Sequence, residues 1–269
     1  MSAIYQPKGK AGEYAKYAVN FYVGCSNDCD YCYCKRGLLG HAMGKPTPTL
    51  KKCFDGHSPY GVFVRELHEH IVPLRKHGLF FSFTTDPLLP ETQDLTNAAV
   101  LYAVSQGVPC KILTKRADFK VLESFYSFQH LIAYGFTLTG CDELERNANT
   151  NAERIERMAD LHRRGFKTFA SIEPIINLND SCEMIRRTLG FCDLYKIGLL
   201  TGHKSYTKDN VKDFVAEVNM LIFNHSYSFP DSKPHIMVYW KDSVLDYIGM
   251  KRDRLNCKFH VKADYDMFH

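Results

Sequence analysis

Short apolar runs alternate with amphipathic stretches along most of the chain. The runs are rich in aromatic and β-branched residues, which is typical of buried strands. They lie at 17–23, 79–84, 110–114, 131–138, 168–172, 194–200 and 235–240. Between them, apolar residues recur at helical spacing, which predicts helices at 60–76, 94–106, 119–128, 151–164 and 209–223.

This alternation predicts an α/β protein built from βαβ units around a parallel sheet. Six such units are too few for a standard eight-unit barrel. A partial barrel or an open doubly wound sheet remains, and both gather their chemistry at the carboxyl ends of the strands. We expect one domain over residues 1–269, with a core of about 16–240 and a C-terminal extension at 241–269.

Composition narrows the class of protein. Apolar residues make up 45% of the chain, enough for a sizeable core, and the net charge of +4 is compatible with an anionic ligand without identifying one. The first residues have no apolar stretch of the kind found in signal peptides, and no run is long enough to cross a membrane. We therefore expect a cytoplasmic protein without membrane association, in which the ten cysteines stay reduced.

Four cysteines fall within ten residues, and the first three, Cys25, Cys29 and Cys32, are spaced C-x3-C-x2-C. A loop with this spacing suits three thiolates on one [4Fe–4S] cluster, which leaves one iron without a protein ligand. The alternative is a zinc site with Cys34 as the fourth ligand, although zinc sites usually combine two ligand pairs. Most of the scattered cysteines suit the core.

The cysteine loop and several strand ends resemble the radical SAM superfamily, and within it the spore photoproduct lyase-like branch. The resemblance covers about residues 14 to 180. It rests on Cys25-x3-Cys29-x2-Cys32, Tyr14-Ala15-x-Tyr17-Ala18-x-Asn20, Tyr31-Cys32-Tyr33, Thr85-Asp86-Pro87, Leu113-Thr114-Lys115 and Ser171-Ile172-Glu173-Pro174-Ile175.

The resemblance implies a partial (β/α)6 barrel, a [4Fe–4S] cluster on the three cysteines, and S-adenosylmethionine (SAM) bound at the open iron. Reductive cleavage of SAM would then yield a 5′-deoxyadenosyl radical that abstracts hydrogen from a substrate. An electron donor such as flavodoxin or ferredoxin is implied. The substrate class suggested by the family is a nucleic acid or nucleotide, and the reaction would be of lyase or transferase type.

The resemblance also assigns candidate cofactor contacts. Tyr31 and Tyr33 flank Cys32, where an aromatic ring covers the cluster or stacks on adenine. The remaining candidates end strands: a carboxylate and hydroxyls suit an ammonium and a ribose, and a lysine suits a methionine carboxylate. They are Thr84, Thr85, Asp86, Lys115, Thr139, Ser171 and Glu173, with His203 as a weaker candidate. Of these, Glu173 is the strongest candidate for a catalytic carboxylate.

One departure from the family concerns the hydrogen donor. The spore photoproduct lyase branch uses a cysteine near the end of the second strand, whereas residues 81–86 contain none. Repair of the spore photoproduct lesion is therefore not expected. Cys141, after the fourth strand, is the alternative hydrogen donor. A second hypothesis is a non-catalytic iron–sulfur or zinc module for binding or electron transfer.

Overall fold

A computed structural model describes residues 2–36, 40–202, 205–228 and 236–268. Its strands are β1 (Ile4–Tyr5), β2 (Ala18–Val19), β3 (Tyr22–Val23), β4 (Thr49–Leu50), β5 (Leu79–Phe81), β6 (Cys110–Thr114), β7 (Ile132–Thr137), β8 (Lys167–Ile175), β9 (Leu194–Leu199) and β10 (Met237–Trp240). Eight of them form one sheet of order β1-β2-β5-β6-β7-β8-β9-β10. Every pairing in it is parallel except that of β1 with β2. Strands β3 and β4 form a small antiparallel ribbon.

Helices connect the parallel strands and cover one face of the sheet. They are α1 (Gly40–Met43), α2 (Pro59–Glu69), α3 (Ile71–His77), α4 (Gln93–Ser105), α5 (Asn151–Arg163), α6 (Leu178–Thr188), α7 (Lys208–Ser228) and α8 (Asp242–Ile248). A 3₁₀ segment, Glu123–Leu131, connects β6 to β7. Helix α5 begins with a capping box, in which Thr150 and Glu153 satisfy each other's backbone N–H groups.

Alternate residues of each strand belong to two separate apolar clusters, as the period of two in a strand requires. Leu79, Phe81 and Ile112 pack with the helices, whereas Phe80 and Phe169 face the other way. On that second face, the Tyr14 ring lies 5.5 Å from the ring of Phe80 on β5, and its hydroxyl lies 2.6 Å from Ser171 on β8. Strands β5 and β8 are not neighbours, so the sheet curves around Tyr14.

The curved sheet is the expected α/β partial barrel, and most of the predicted strands and helices are confirmed. Three predictions differ in detail. The run at 17–23 divides into β2 and β3, because the side chain of Asn20 between them bonds the Tyr5 hydroxyl and the Phe83 N–H. The helix predicted at 60–76 is broken at His70, and the helix predicted at 119–128 is the 3₁₀ segment. Strands β1 and β4 and helices α1, α6 and α8 were not predicted.

None of the helices formed by the described residues combines the length and apolar character that a bilayer crossing requires.

Candidate functional site

A cavity of about 350 Å³ lies where the parallel strands end. Its walls come from the cysteine loop on one side and from the carboxyl ends of β5, β6, β7, β8 and β9 on the other. Eleven of the residues proposed from the sequence line it: Cys25, Cys29, Tyr31, Cys32, Tyr33, Thr84, Thr85, Asp86, Lys115, Ser171 and Glu173. The strand-end rule therefore brings most of the candidates to one place.

The cysteine loop is shaped by three successive backbone turns. The carbonyl of each of Cys25, Cys29 and Cys32 accepts a hydrogen bond from the N–H three residues later, at 3.1–3.3 Å. The loop starts at Gly24, whose φ of +83° is in the left-handed region. A Cβ there would lie 2.4 Å from the carbonyl oxygen of Thr47, so this position requires glycine.

The thiols of the loop are partly withdrawn from solvent. Burial raises the pKa of Cys25 to about 12 and also raises the pKa of Cys29. Cys32 differs, because a hydrogen bond from Cys34 lowers its pKa. Cys34 lines the same cavity as the three predicted ligands. Among the described residues, no three His, Cys, Asp or Glu side chains lie close enough together to hold a single metal ion.

Thr84 links the end of β5 to β3, and Thr85 and Asp86 link it to the cysteine loop. The hydroxyl of Thr84 donates to the carbonyl of Tyr22 at 2.6 Å, and the hydroxyl of Thr85 donates to the carbonyl of Gly24 at 2.6 Å. The Asp86 carboxylate accepts from the Asn27 side-chain amide at 2.8 Å. These polar groups bind the protein's own loop.

Lys115 lies among buried polar groups at the end of β6. Its Nζ is 5.2 Å from the centre of the Tyr31 ring and 3.8 Å from Glu145 Oε1. Burial alone would lower the pKa of Lys115, but Tyr31, Cys29 and Glu145 raise it well above its usual value. Lys115 is therefore an ammonium group, and it lines the cavity with 19% of its side chain exposed.

Glu173 belongs to a second polar group, on the opposite wall of the cavity. Its Oε2 accepts hydrogen bonds from the Tyr14 hydroxyl and from Lys241 Nζ, both at 2.6 Å. The Tyr14 hydroxyl is also 2.6 Å from Ser171 Oγ. Gly198 of β9 leaves the space for this pair, since a Cβ there would lie 2.7 Å from Glu173 Oε1.

Thr139 and Cys141 lie outside the lining of the cavity, although both follow β7 as expected. The Thr139 hydroxyl accepts a hydrogen bond from the backbone N–H of Cys141 at 3.2 Å, so it is used within its own turn. Cys141 is buried beside Asp180, and burial raises the pKa of its thiol to about 11. His203 lies outside the described residues.

Tyr33 stands at the mouth of the cavity with 60% of its surface exposed, and its hydroxyl donates to the carbonyl of Phe83. Residues of the site that were not predicted from the sequence include Tyr14, Asn27, Glu145 and Lys241. Tyr14 and Asn27 lie within or beside the motifs. Glu145 and Lys241 are in ordinary polar stretches that carry no comparable signal.

Comparison with known proteins gives three results. No model of a protein family matches the chain. An uncharacterised protein of Methanocaldococcus jannaschii is 26% identical, over 67% of this chain and 69% of that protein. Two kinds of solved structure are similar at low sequence identity.

The first is spore photoproduct lyase complexed with dinucleoside spore photoproduct. It has a TM-score of 0.58 and 13% identity, over 88% of this chain and 79% of the lyase chain. The second is SuiB of Streptococcus suis bound to S-adenosylmethionine, with a TM-score of 0.52 and 11% identity, over 83% of this chain and 46% of SuiB. At these identities the likeness shows the fold: the chain has a fold similar to that of spore photoproduct lyase and of SuiB, which confirms the partial barrel that the resemblance implied.

Proposed function

We propose that the chain is a radical SAM enzyme in which Cys25, Cys29 and Cys32 hold a [4Fe–4S] cluster and the cavity binds SAM. The observation that carries the proposal is the convergence of three thiols at C-x3-C-x2-C spacing on one cavity with an ammonium group. The donor set suits the cluster, because three thiolates leave one iron open. When bound, the cluster and SAM supply reductive cleavage of the sulfonium and hydrogen abstraction from a substrate.

The chain's own side chains have separable tasks in this proposal. Lys115 binds the methionine carboxylate of SAM, and the Tyr31 ring lies against its ammonium group. Tyr33 covers the mouth of the cavity. Ser171 and Glu173, on the opposite wall, bind a ribose hydroxyl or the substrate. Thr139 and Cys141 have no part in it, because they do not line the cavity.

The substrate we propose is a nucleic acid or nucleotide. Lys10, Arg36 and Lys45 line the cavity, and none of them forms an ion pair with a carboxylate of the described residues. Such cations suit phosphate groups, and the exposed ring of Tyr33 suits a base. One of the similar structures is a lyase complexed with a dinucleoside photoproduct. The electron donor would be a flavodoxin or a ferredoxin.

The decisive experiment is anaerobic purification with iron and sulfide analysis, followed by reduction with dithionite in the presence of SAM. We expect about four irons per chain and formation of 5′-deoxyadenosine. The triple variant C25A/C29A/C32A should lose both, whereas C53A/C257A, at two cysteines outside the cavity lining, should keep both. One zinc per chain, or a full cluster that never cleaves SAM, would refute the proposed function.

The substrate class is tested separately by fluorescence anisotropy with a short single-stranded DNA probe. The variant R36A/K45A should bind the probe roughly tenfold more weakly and with a smaller dependence on salt. The control variant R65A/K212A removes two cations that pair with Glu69 and Asp209 on outer helices, and it should bind like the wild type. Equal loss in both variants would count against recognition of phosphates at the cavity.

A further inference from the structure

Two buried carboxylates hold the two halves of the cysteine loop. Asp86 bonds the half between Cys25 and Cys29, and Glu145 bonds the half between Cys29 and Cys32. Both have side chains that are almost completely buried. The sequence placed Asp86 among the cofactor contacts and did not single out Glu145.

Asp86 uses the whole of its acceptor capacity on the protein. Its Oδ1 accepts from the Leu88 N–H at 3.0 Å and from the Thr114 hydroxyl at 2.6 Å. Its Oδ2 accepts from the Asn27 amide at 2.8 Å and from the Lys115 N–H at 2.7 Å. A carboxylate has about four acceptor sites. None remains for the ammonium of SAM, so Asp86 acts on the loop and not on the cofactor.

Glu145 serves the other half of the loop in the same manner. Its Oε1 accepts from the Tyr31 hydroxyl, and its Oε2 pairs with Arg154, whose side chain is fully buried. The neighbouring carbonyl of Leu144 accepts from the Asp30 N–H at 2.9 Å. Arg154 is itself fixed by the carbonyls of Thr137 and Asn149, at 2.6 and 2.8 Å. Glu145 is thus a rigid acceptor anchored in the barrel.

Lys115 joins the two carboxylates. Its backbone N–H is bonded to Asp86, and its ammonium group lies 3.8 Å from Glu145. Through these two carboxylates, both halves of the loop are therefore held in position relative to Lys115 at the end of β6. A change at either carboxylate would alter the position of the thiols relative to Lys115.

We propose that Asp86 and Glu145 are positioning residues that hold the cysteine loop in the conformation in which it receives the cluster. The inference rests on the proposed function, because it concerns retention of the cluster that the function requires. Partners behind metal ligands commonly contribute 10–100-fold to metal affinity. Removing one acceptor should therefore weaken the cluster while the barrel stays folded.

The test compares D86N and E145Q with the wild type and with D193N. Asp193 is a similarly buried carboxylate that accepts from the Thr168 N–H at 2.8 Å, far from the loop in the chain and outside the cavity lining. We expect D86N and E145Q to lose iron to a chelator about tenfold faster after anaerobic reconstitution. We also expect their reduced EPR signal to respond less to SAM. D193N should match the wild type in both, whatever its melting temperature.

A swap of the bonded pair separates positioning from general stability. N27D places two carboxylates against each other, and N27D/D86N restores one hydrogen bond between the two side chains. The double variant should retain iron better than N27D, because it removes the repulsion between the two carboxylates. If D86N does not fold, N27A decides in its place, since it removes only one of the four donors to Asp86.

The outcomes distinguish the two proposals. If the wild type takes up no iron, the proposed function fails, and with it the basis of this inference. If the wild type loads a cluster and N27A, D86N and E145Q retain it as well as D193N does, the positioning role is wrong and the proposed function stands. If D193N loses iron as fast as D86N and E145Q do, the effect reflects only the stability of the protein, and the inference is overturned.

Discussion

Two segments cross the mouth of the barrel, and opposite kinds of charge hold them. The cysteine loop is held by the carboxylates of Asp86 and Glu145. The N-terminal segment at 10–14 is held by lysines: Lys196 Nζ donates to the carbonyls of Glu13 and Tyr14 at 2.6 and 3.2 Å, and Lys241 Nζ donates to the carbonyl of Lys10 at 3.1 Å. Since Lys196 lies on β9 and Lys241 follows β10, the second segment closes the open side of the barrel.

The two segments differ in whether the lysine beside them has N–H donors left for a ligand. Lys241 is 1% exposed, and its Nζ donates to Glu173 Oε2 and to the Lys10 carbonyl and forms an ion pair with Glu13 Oε2 at 3.4 Å. Lys115 forms one ion pair at 3.8 Å and, among the described residues, no side-chain hydrogen bond. We infer that, of these two lysines, Lys241 contributes stability and Lys115 contributes ligand binding.

The largest expected effect that tests this comparison is the loss of stability in K241M. In K241M, Glu173 and Glu13 lose their ammonium partner inside the barrel, so the free energy of unfolding should fall by about 3 kcal/mol. K115M should change that free energy by less than about 1 kcal/mol, because its ion pair is long and Glu145 keeps Arg154. Urea unfolding of the apo proteins measures both.

The reciprocal measurement is SAM binding to the reconstituted proteins by equilibrium dialysis. K115M should raise the dissociation constant by about tenfold or more, as expected for a lost charge-assisted hydrogen bond. K241M, assayed below its unfolding transition, should weaken SAM binding much less, because the Tyr14 hydroxyl still donates to Glu173. If the two variants weaken SAM binding equally, the assignment of stability to Lys241 and of ligand binding to Lys115 is wrong.

A medium effect tests the start of the cysteine loop. Gly24 and Gly56 both have positive φ, of 83° and 74°, but only Gly24 faces backbone oxygens at 2.4 and 2.9 Å from an added Cβ. G56A should cost about 1 kcal/mol for the backbone conformation alone, and G24A about 1–2 kcal/mol more. Only G24A should also reduce iron uptake. Urea unfolding and iron analysis of the pair provide the data, and equal values would show that the close packing has no effect.

The fold could be predicted from the sequence because its strands are buried on both faces. Runs such as Leu79-Phe80-Phe81 read as continuous apolar stretches, which parallel sheets require, and the order of strands and helices then limits the topology. The strand predicted at 17–23 failed in its middle because Asn20 bonds Tyr5 and Phe83 there. Such bonds join residues that are far apart in the chain, and no local pattern reveals them.

The site shows the same contrast between residues that local patterns predict and residues that only tertiary contacts bring in. Strand ends led to Thr84, Lys115 and Ser171 because their place depends on the local alternation of apolar and polar residues. Lys241 lines the cavity and bonds Glu173, 68 positions earlier in the chain. Glu145 joins it through Tyr31, 114 positions earlier. A sequence pattern locates a carboxylate at a strand end, but the partners that occupy its oxygens are fixed by the tertiary structure.

The smallest expected effect extends the comparison of lysines to the inner face of the sheet. Lys111 of β6 is 7% exposed, and burial lowers its pKa, partly offset by Asp266. The folded chain therefore binds fewer protons than the unfolded chain between the lowered pKa and the usual value near 10.4. The stability of the wild type should rise with pH across that window, because the buried ammonium loses its charge.

K111M removes this dependence along with the buried charge. At pH 7 the variant should be more stable than the wild type by about 1 kcal/mol, and the gain should shrink as the pH approaches 10.4. Burial and the charge of Lys111 also lower the pKa of Lys196, so the difference curve reports the two neighbouring lysines together. Urea unfolding from pH 7 to pH 10, with K258M at an exposed lysine as the control, measures it. If the difference does not vary with pH, Lys111 keeps its proton in the folded chain because a partner inside the barrel stabilises the ammonium group. Lys111 would then resemble Lys241 more than Lys115.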